Sequence, residues 1–131
     1  MEEKGAWTRA LIPDVRRWVD RRHGELSYEL TQALTGHGCF RSYLHKYRRR
    51  RDPACVYCGE EDTPSHTLFR CQRWEEERRR CPFWEDLRED RMVGCMLSSR
   101  EAWGQISHTI GEIMRTKEEE ERRTEREAVV L

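Results

Sequence analysis

The sequence predicts a mainly α-helical fold, on three observations. Apolar residues recur at spacings of three and four along several stretches. Proline, glycine and serine stand where helices would start and stop. One turn-rich, aperiodic stretch, residues 55–71, interrupts the pattern and divides the chain into two helical parts.

Each element has its own justification. Pro13 suits a first helical position, Val15, Trp18 and Val19 form one stripe, and Gly24 should stop that helix. A second helix begins after Ser27, with Tyr28, Leu30, Ala33 and Leu34 inward and Gly36 as terminator. Gly36, His37 and Gly38 connect it tightly to a third, over residues 39–49, in which Phe40, Tyr43, Leu44 and Tyr47 share a face. Asp52-Pro53 breaks that helix, because the residue before proline is pushed out of the helical region. Past residue 71, Trp74, Phe83, Trp84 and Leu87 sit among charges, with Pro82 dividing two short helical pieces. Ser98 and Glu101 form a capping box, and Trp103, Ile106, Ile110, Ile113 and Met114 follow at helical spacing. That helix is expected through about Arg115. Residues 117–127 contain no apolar side chain and read as a solvated helical extension or a disordered tail.

Composition narrows the classes. The 131 residues suit a single domain, but 38% are charged and only 36% hydrophobic, so a thin core is expected. The longest uncharged stretch, residues 30–40, is too short and polar for a bilayer, and the N-terminus lacks the features of a secretory signal. Six cysteines without an export signal read as reduced thiols in an intracellular protein of the nucleus or cytoplasm. Lys and Arg balance Asp and Glu at 25 each, yet the distribution is uneven. Residues 41–51 carry +6 with no acid, and residues 52–62 carry −4 with no base.

The strongest chemical signal is the spacing C-x2-C-x7-H-x4-C formed by Cys55, Cys58, His66 and Cys71. Three thiolates and one imidazole are a known closed donor set for a structural Zn2+, with no position left for water. The first pair sits on a tight turn relieved by Gly59. His66 and Cys71 are five residues apart, which on a regular α-helix points them about 140° from each other. One of them therefore belongs at a helix end or in a turn. A redox role for the first cysteine pair is the competing reading, and no thioredoxin-like pattern surrounds it. Cys39, Cys81 and Cys95 read as plain thiols. The expected organisation is a helical segment over 1–51, a CCHC zinc knuckle over 52–73, a helical segment over 74–115 packing back on the first, and a charged extension over 116–131.

The basic run offers a second function. Arg41, His45, Lys46, Arg48, Arg49, Arg50 and Arg51 lie immediately before the cysteine-rich loop, and Lys/Arg clusters supply most nonspecific affinity for nucleic acid. Tyr43, Tyr47 and Tyr57 interleave with this run and offer rings for stacking, although a core role for them is the simpler expectation. Arg70, Arg73, Arg78, Arg79 and Arg80 are expected to pair with Glu75, Glu76 and Glu77. The alternative to nucleic-acid binding is a zinc-stapled protein-interaction module using the Trp103–Met114 stripe. No catalytic constellation stands out, and a Cys39–His37 nucleophile pair is the weakest reading.

Several blocks together resemble a family. Trp7-Thr8, Leu11-Ile12-Pro13, Trp18, Leu30-Thr31-Gln32, Leu34-Thr35-Gly36-His37-Gly38-Cys39-Phe40 and Tyr43-Leu44 come first. Cys55, Cys58, His66-Thr67-Leu68-Phe69, Cys71, Arg73-Trp74, Glu77-Arg78 and Glu101-Ala102-Trp103 follow in order. Over roughly residues 5–120 the chain resembles the C-terminal region of arthropod non-LTR (LINE-type) retrotransposon reverse transcriptase polyproteins. The resemblance implies a CCHC zinc knuckle ligated by Cys55, Cys58, His66 and Cys71. It also implies a helical module that handles RNA or target DNA in target-primed reverse transcription, next to an upstream reverse transcriptase. It implies no catalysis, since the family's Tyr-x-Asp-Asp turn and endonuclease portion are absent from these residues. The x7 spacing departs from the x4 of retroviral nucleocapsid knuckles.

Overall fold

A computed structural model describes the backbone of residues 5–130 and the side chains of residues 5–127, so the extreme ends of the first and last expected segments lie outside the described residues. The fold is mainly helical: α1 (Ala6–Leu11), α2 (Val15–Val19), α3 (Tyr28–Thr35), α4 (Arg41–Lys46), α5 (Glu75–Arg80), α6 (Glu89–Ser98) and α7 (Arg100–Val130). A π-helical turn, His66–Arg70, and a 3-10 turn, Gln72–Trp74, lie between α4 and α5. The single β pairing among the described residues is a bridge between Ala54 and Glu61.

Helix α7 is the spine. Its stripe of Ala102, Trp103, Ile106, Ile110, Ile113 and Met114 is fully buried or nearly so. Helices α3 and α6 pack along it, contributing Leu30, Ala33 and Leu34 from one and Met92, Val93 and Met96 from the other. Helix α1 closes the core with Leu11, and its Trp7 Nε1 and Thr8 Oγ1 donate to the carbonyls of Ala33 and Leu34, each at 2.8 Å. Those bonds satisfy the open carbonyl end of α3, where Gly36 takes the left-handed conformation that glycine adopts without steric cost.

The structure corrects several boundaries. Helix α1 lies before the first expected helix; six residues with only Trp7 and Leu11 inward are too few to show a period. Asp14, not Pro13, begins α2, its carboxylate accepting from Arg17 N at 3.1 Å. Val15 and Val19 face solvent, and only Trp18 turns inward, 5.7 Å from the Trp103 ring. Gly24 stands beyond the end of α2, at φ 105°, and any Cβ there would come within 2.6 Å of Trp103. Tyr28 is exposed and donates to Glu118 Oε1 at 3.2 Å. Helix α4 is shorter than expected, ending before Tyr47.

The cap of α7 is shifted by one residue. Ser99 Oγ accepts from Ala102 N at 3.0 Å, while Ser98 ends α6 and donates to the Cys95 carbonyl at 2.5 Å. Helix α7 then continues without a break past Arg115. Ser99→Ala should therefore destabilise the fold by about 1 kcal/mol, and Ser98→Ala by less than about 0.5 kcal/mol, in urea denaturation.

Candidate metal centre and cationic edge

Short-range backbone chemistry builds the cysteine-rich loop. Cys55 N donates to Glu60 O at 2.6 Å and Gly59 N to Cys55 O at 2.9 Å, closing a turn in which Gly59 takes φ 81°. Tyr57 N points at Cys55 Sγ from 3.4 Å. On the far side, Thr63 Oγ1 accepts from His66 N at 3.2 Å and starts the turn that carries His66.

The spacing problem posed by His66 and Cys71 is solved by the π-helical turn. Cys71 N donates to His66 O at 2.8 Å, an i→i+5 bond that winds the backbone more slowly than an α-helix. The two side chains thus reach the same side. The donor atoms of Cys55, Cys58, His66 and Cys71 all lie within 4.8 Å of one another. Cys58 Sγ is 2.9 Å from His66 Nε2, and Cys55 Sγ is 3.9 Å from Cys71 Sγ. Cys55, His66 and Cys71 are buried and Cys58 is exposed.

The electrostatics suit a cation. Burial pushes the Cys71 thiol up to about 12, and the neighbouring Cys55 and Cys58 sulfurs add to the rise. Without a positive charge nearby, Cys71 resists ionisation; a divalent ion at the centre of the cluster reverses that preference. Burial lowers the basicity of His66, against the opposing pull of Asp62 and Glu60, and so favours the neutral imidazole that ligates metal. With Nε2 toward the sulfurs, Nδ1 faces Asp62 Oδ1 at 3.5 Å, in the place where metal-binding histidines keep a carboxylate. The cluster is compatible with one zinc site. Beneath it, Cys55, Cys71 and Trp74 pack on Ile113 of α7.

Asp62 ties this loop to the rest of the molecule, and sequence reasoning missed it. Only 1% exposed, it accepts from Lys117 Nζ at 2.6 Å, from Arg41 N at 2.9 Å and from Thr67 Oγ1 at 3.0 Å. Its own carbonyl accepts from Ser42 N at 3.2 Å. One buried carboxylate thus caps α4, braces the His66 turn and anchors α7. Lys117, expected in a solvated tail, is buried; its ammonium also lies 5.9 Å from the Phe40 ring.

The basic run divides into two sets. Arg41 Nε meets Glu121 at 2.7 Å, and Arg50 meets the same carboxylate through Nε at 3.0 Å and Nη2 at 2.8 Å. Arg49 pairs with Glu125 at 3.0 Å, and His45 Nδ1 lies 3.2 Å from the Arg50 carbonyl. Lys46, Arg48 and Arg51 are exposed and form no ion pair among the described residues. The later arginines also divide. Arg79 and Arg80 reach the acids of their own helix, as spacing predicts. Arg73 instead pairs with Glu120 at 2.9 Å, and Arg78 donates to the carbonyls of Thr67 and Cys71 at 3.0 and 2.5 Å. Arg78 thereby satisfies the end of the π turn beside the cluster.

No protein-family profile matches the chain, and no solved structure matches it. It is similar to two curated polyproteins of type-1 retrotransposable element R1, both described as retrovirus-related Pol polyproteins. The one from Bradysia coprophila is 30% identical over 113 residues, which cover 86% of this chain and 10% of that polyprotein. The one from Popillia japonica is 36% identical over 61 residues, 46% of this chain and 25% of that protein. The chain therefore spans only a small part of the relatives it matches. Among the described residues no helix is long and apolar enough to cross a membrane.

Lys117→Met should cost about 3 kcal/mol in urea denaturation, because it strands the Asp62 carboxylate in the interior. Adding Asp62→Asn should recover part of that loss, since the remaining group is then uncharged.

Proposed function

We propose that this chain is a zinc-dependent nucleic-acid-binding module of a non-LTR retrotransposon reverse transcriptase polyprotein of the R1 type. It binds RNA, target DNA or both during target-primed reverse transcription, and does not itself catalyse. In this reading one structural Zn2+ is held by Cys55, Cys58, His66 and Cys71. The ion staples the loop to α7, the polymerase portion lies upstream, and the module works inside the cell, in the nucleus or cytoplasm. The observation that carries the reading is the three-thiol, one-imidazole cluster in a chain whose matched relatives are R1 Pol polyproteins.

The cationic edge beside the loop supports the nucleic-acid part. Arg41 and Arg50 are committed to α7, so their role is to shape this edge, while Arg49 meets Glu125 only at the solvent-exposed surface. Lys46, Arg48 and Arg51 keep their charge for phosphate, with His45 among them. A second reading, a zinc-stapled protein-interaction module docking on the upstream polyprotein, draws on a different feature. The Trp103–Met114 stripe expected to serve it is buried in the core, but Ile12, Pro13, Val93 and Leu97, with Arg17 and Asp90 among them, line a cavity of about 380 Å³ between the start of α2 and α6.

Salt dependence separates the two. With Lys46 and Arg51 both changed to Gln, affinity for any nucleic acid should fall and the slope of log K against log salt should shrink by roughly 1–2. Unchanged affinity and slope would remove the cationic edge from the account and leave the docking cavity as the better reading.

A further inference from the structure

We propose that His37, Tyr43 and Tyr47 form a stacking ladder for the unpaired bases of a single-stranded nucleic acid, with Lys46, Arg48 and Arg51 holding its phosphates. This deepens the nucleic-acid reading above and rests on it. The rings of His37 and Tyr43 stack with centroids 4.7 Å apart and planes 27° from parallel. Tyr47 lies against Tyr43 with centroids 4.8 Å apart and planes tilted by 53°, so it flanks the His37–Tyr43 stack rather than continuing it in parallel. Tyr43 is anchored against the core, while His37 and Tyr47 on either side are exposed, Tyr47 at 57%. The ladder thus has a rigid middle and two free ends, the form of a platform that bases extend.

The cations are placed to match. Lys46 Nζ lies 5.7 Å from the Tyr47 ring. Arg48 follows directly, in the left-handed conformation at φ 61°, with Arg48 N donating to His45 O at 2.9 Å and Arg49 N to Leu44 O at 2.8 Å. That pair of bonds is a Schellman motif, and its left-handed position ordinarily belongs to glycine. Arginine there carries a conformational cost that the helix end does not require. Phosphate binding next to the ladder accounts for its presence.

The other exposed aromatic near the cysteine loop argues for the same assignment. The Tyr57 hydroxyl is taken by Glu120, and Glu60 and Glu61 stand exposed close by in sequence, a poor setting for a phosphate backbone. A duplex would gain little from the ladder, because its bases already stack on one another and offer no free face.

The test uses the zinc-loaded full chain with fluorescent oligouridine, oligothymidine and a blunt DNA duplex of equal length. Tyr47→Ala should weaken both single strands roughly tenfold while leaving the salt slope and the duplex affinity unchanged. Tyr47→Phe should bind like the parent. Arg48→Gly should weaken single-strand binding while its melting temperature stays equal or rises, which separates lost contact from lost fold. If the parent chain binds single strands but Tyr47→Ala binds them equally well, the ladder is overturned and phosphate contact alone remains. If the parent binds none of the three probes, the nucleic-acid reading itself fails and the ladder with it.

Discussion

The buried carboxylate of Asp62 is the constraint on which the rest of the structure depends. It is shielded from water yet meets an ammonium, a backbone amide and a hydroxyl, with the edge of His66 beside it. Removing a charge from water is costly, and such a group persists only where its partners are all in place. Those partners come from α4, from the turn bearing His66 and from α7. The cysteine-rich loop, which reaches the main core only through Leu68 and Phe69 at its end, is thereby also fixed in position by polar chemistry. Trp74 and Ile113 then supply the apolar floor beneath the sulfurs.

Much of this was legible in the sequence, and the failures have physical reasons. The helical class, the Ser27 cap, the Gly36 stop and the buried stripe from Trp103 to Met114 all follow from local propensity and period. The four residues of the cysteine–histidine pattern do converge. The π turn was not legible, because nothing local distinguishes an i→i+5 bond from an i→i+4 bond. Lys117 and Glu121 were misjudged because hydropathy counts them as solvated. Their positions nevertheless continue the register of Ile113 and Met114 at spacings of three and four. The stripe does not end where its apolar residues end; it changes from apolar burial to buried ion pairing.

That change also explains the neutral overall charge. The acids of α7 and the basic run of residues 41–51 meet through Glu121 and Glu125, so much of the balance is internal pairing. Sequence position alone could not divide the run into structural and free cations, because the dividing carboxylates lie more than seventy residues away. The fold spends Arg41 and Arg50 on architecture and leaves a narrower cationic edge, around the C-terminal end of the short helix α4 and next to the exposed Tyr47.

In the function proposed above, the sulfur–imidazole cluster takes one tetrahedral metal ion that holds the loop on α7. Cobalt substitution tests it most directly. Titrating the metal-free chain with Co2+ should give intense visible ligand-field bands and sulfur-to-metal charge transfer that saturate at one ion per chain and are displaced by Zn2+. Weak bands typical of six-coordinate cobalt, or a Cys71→Ser variant with an unchanged spectrum, would contradict it.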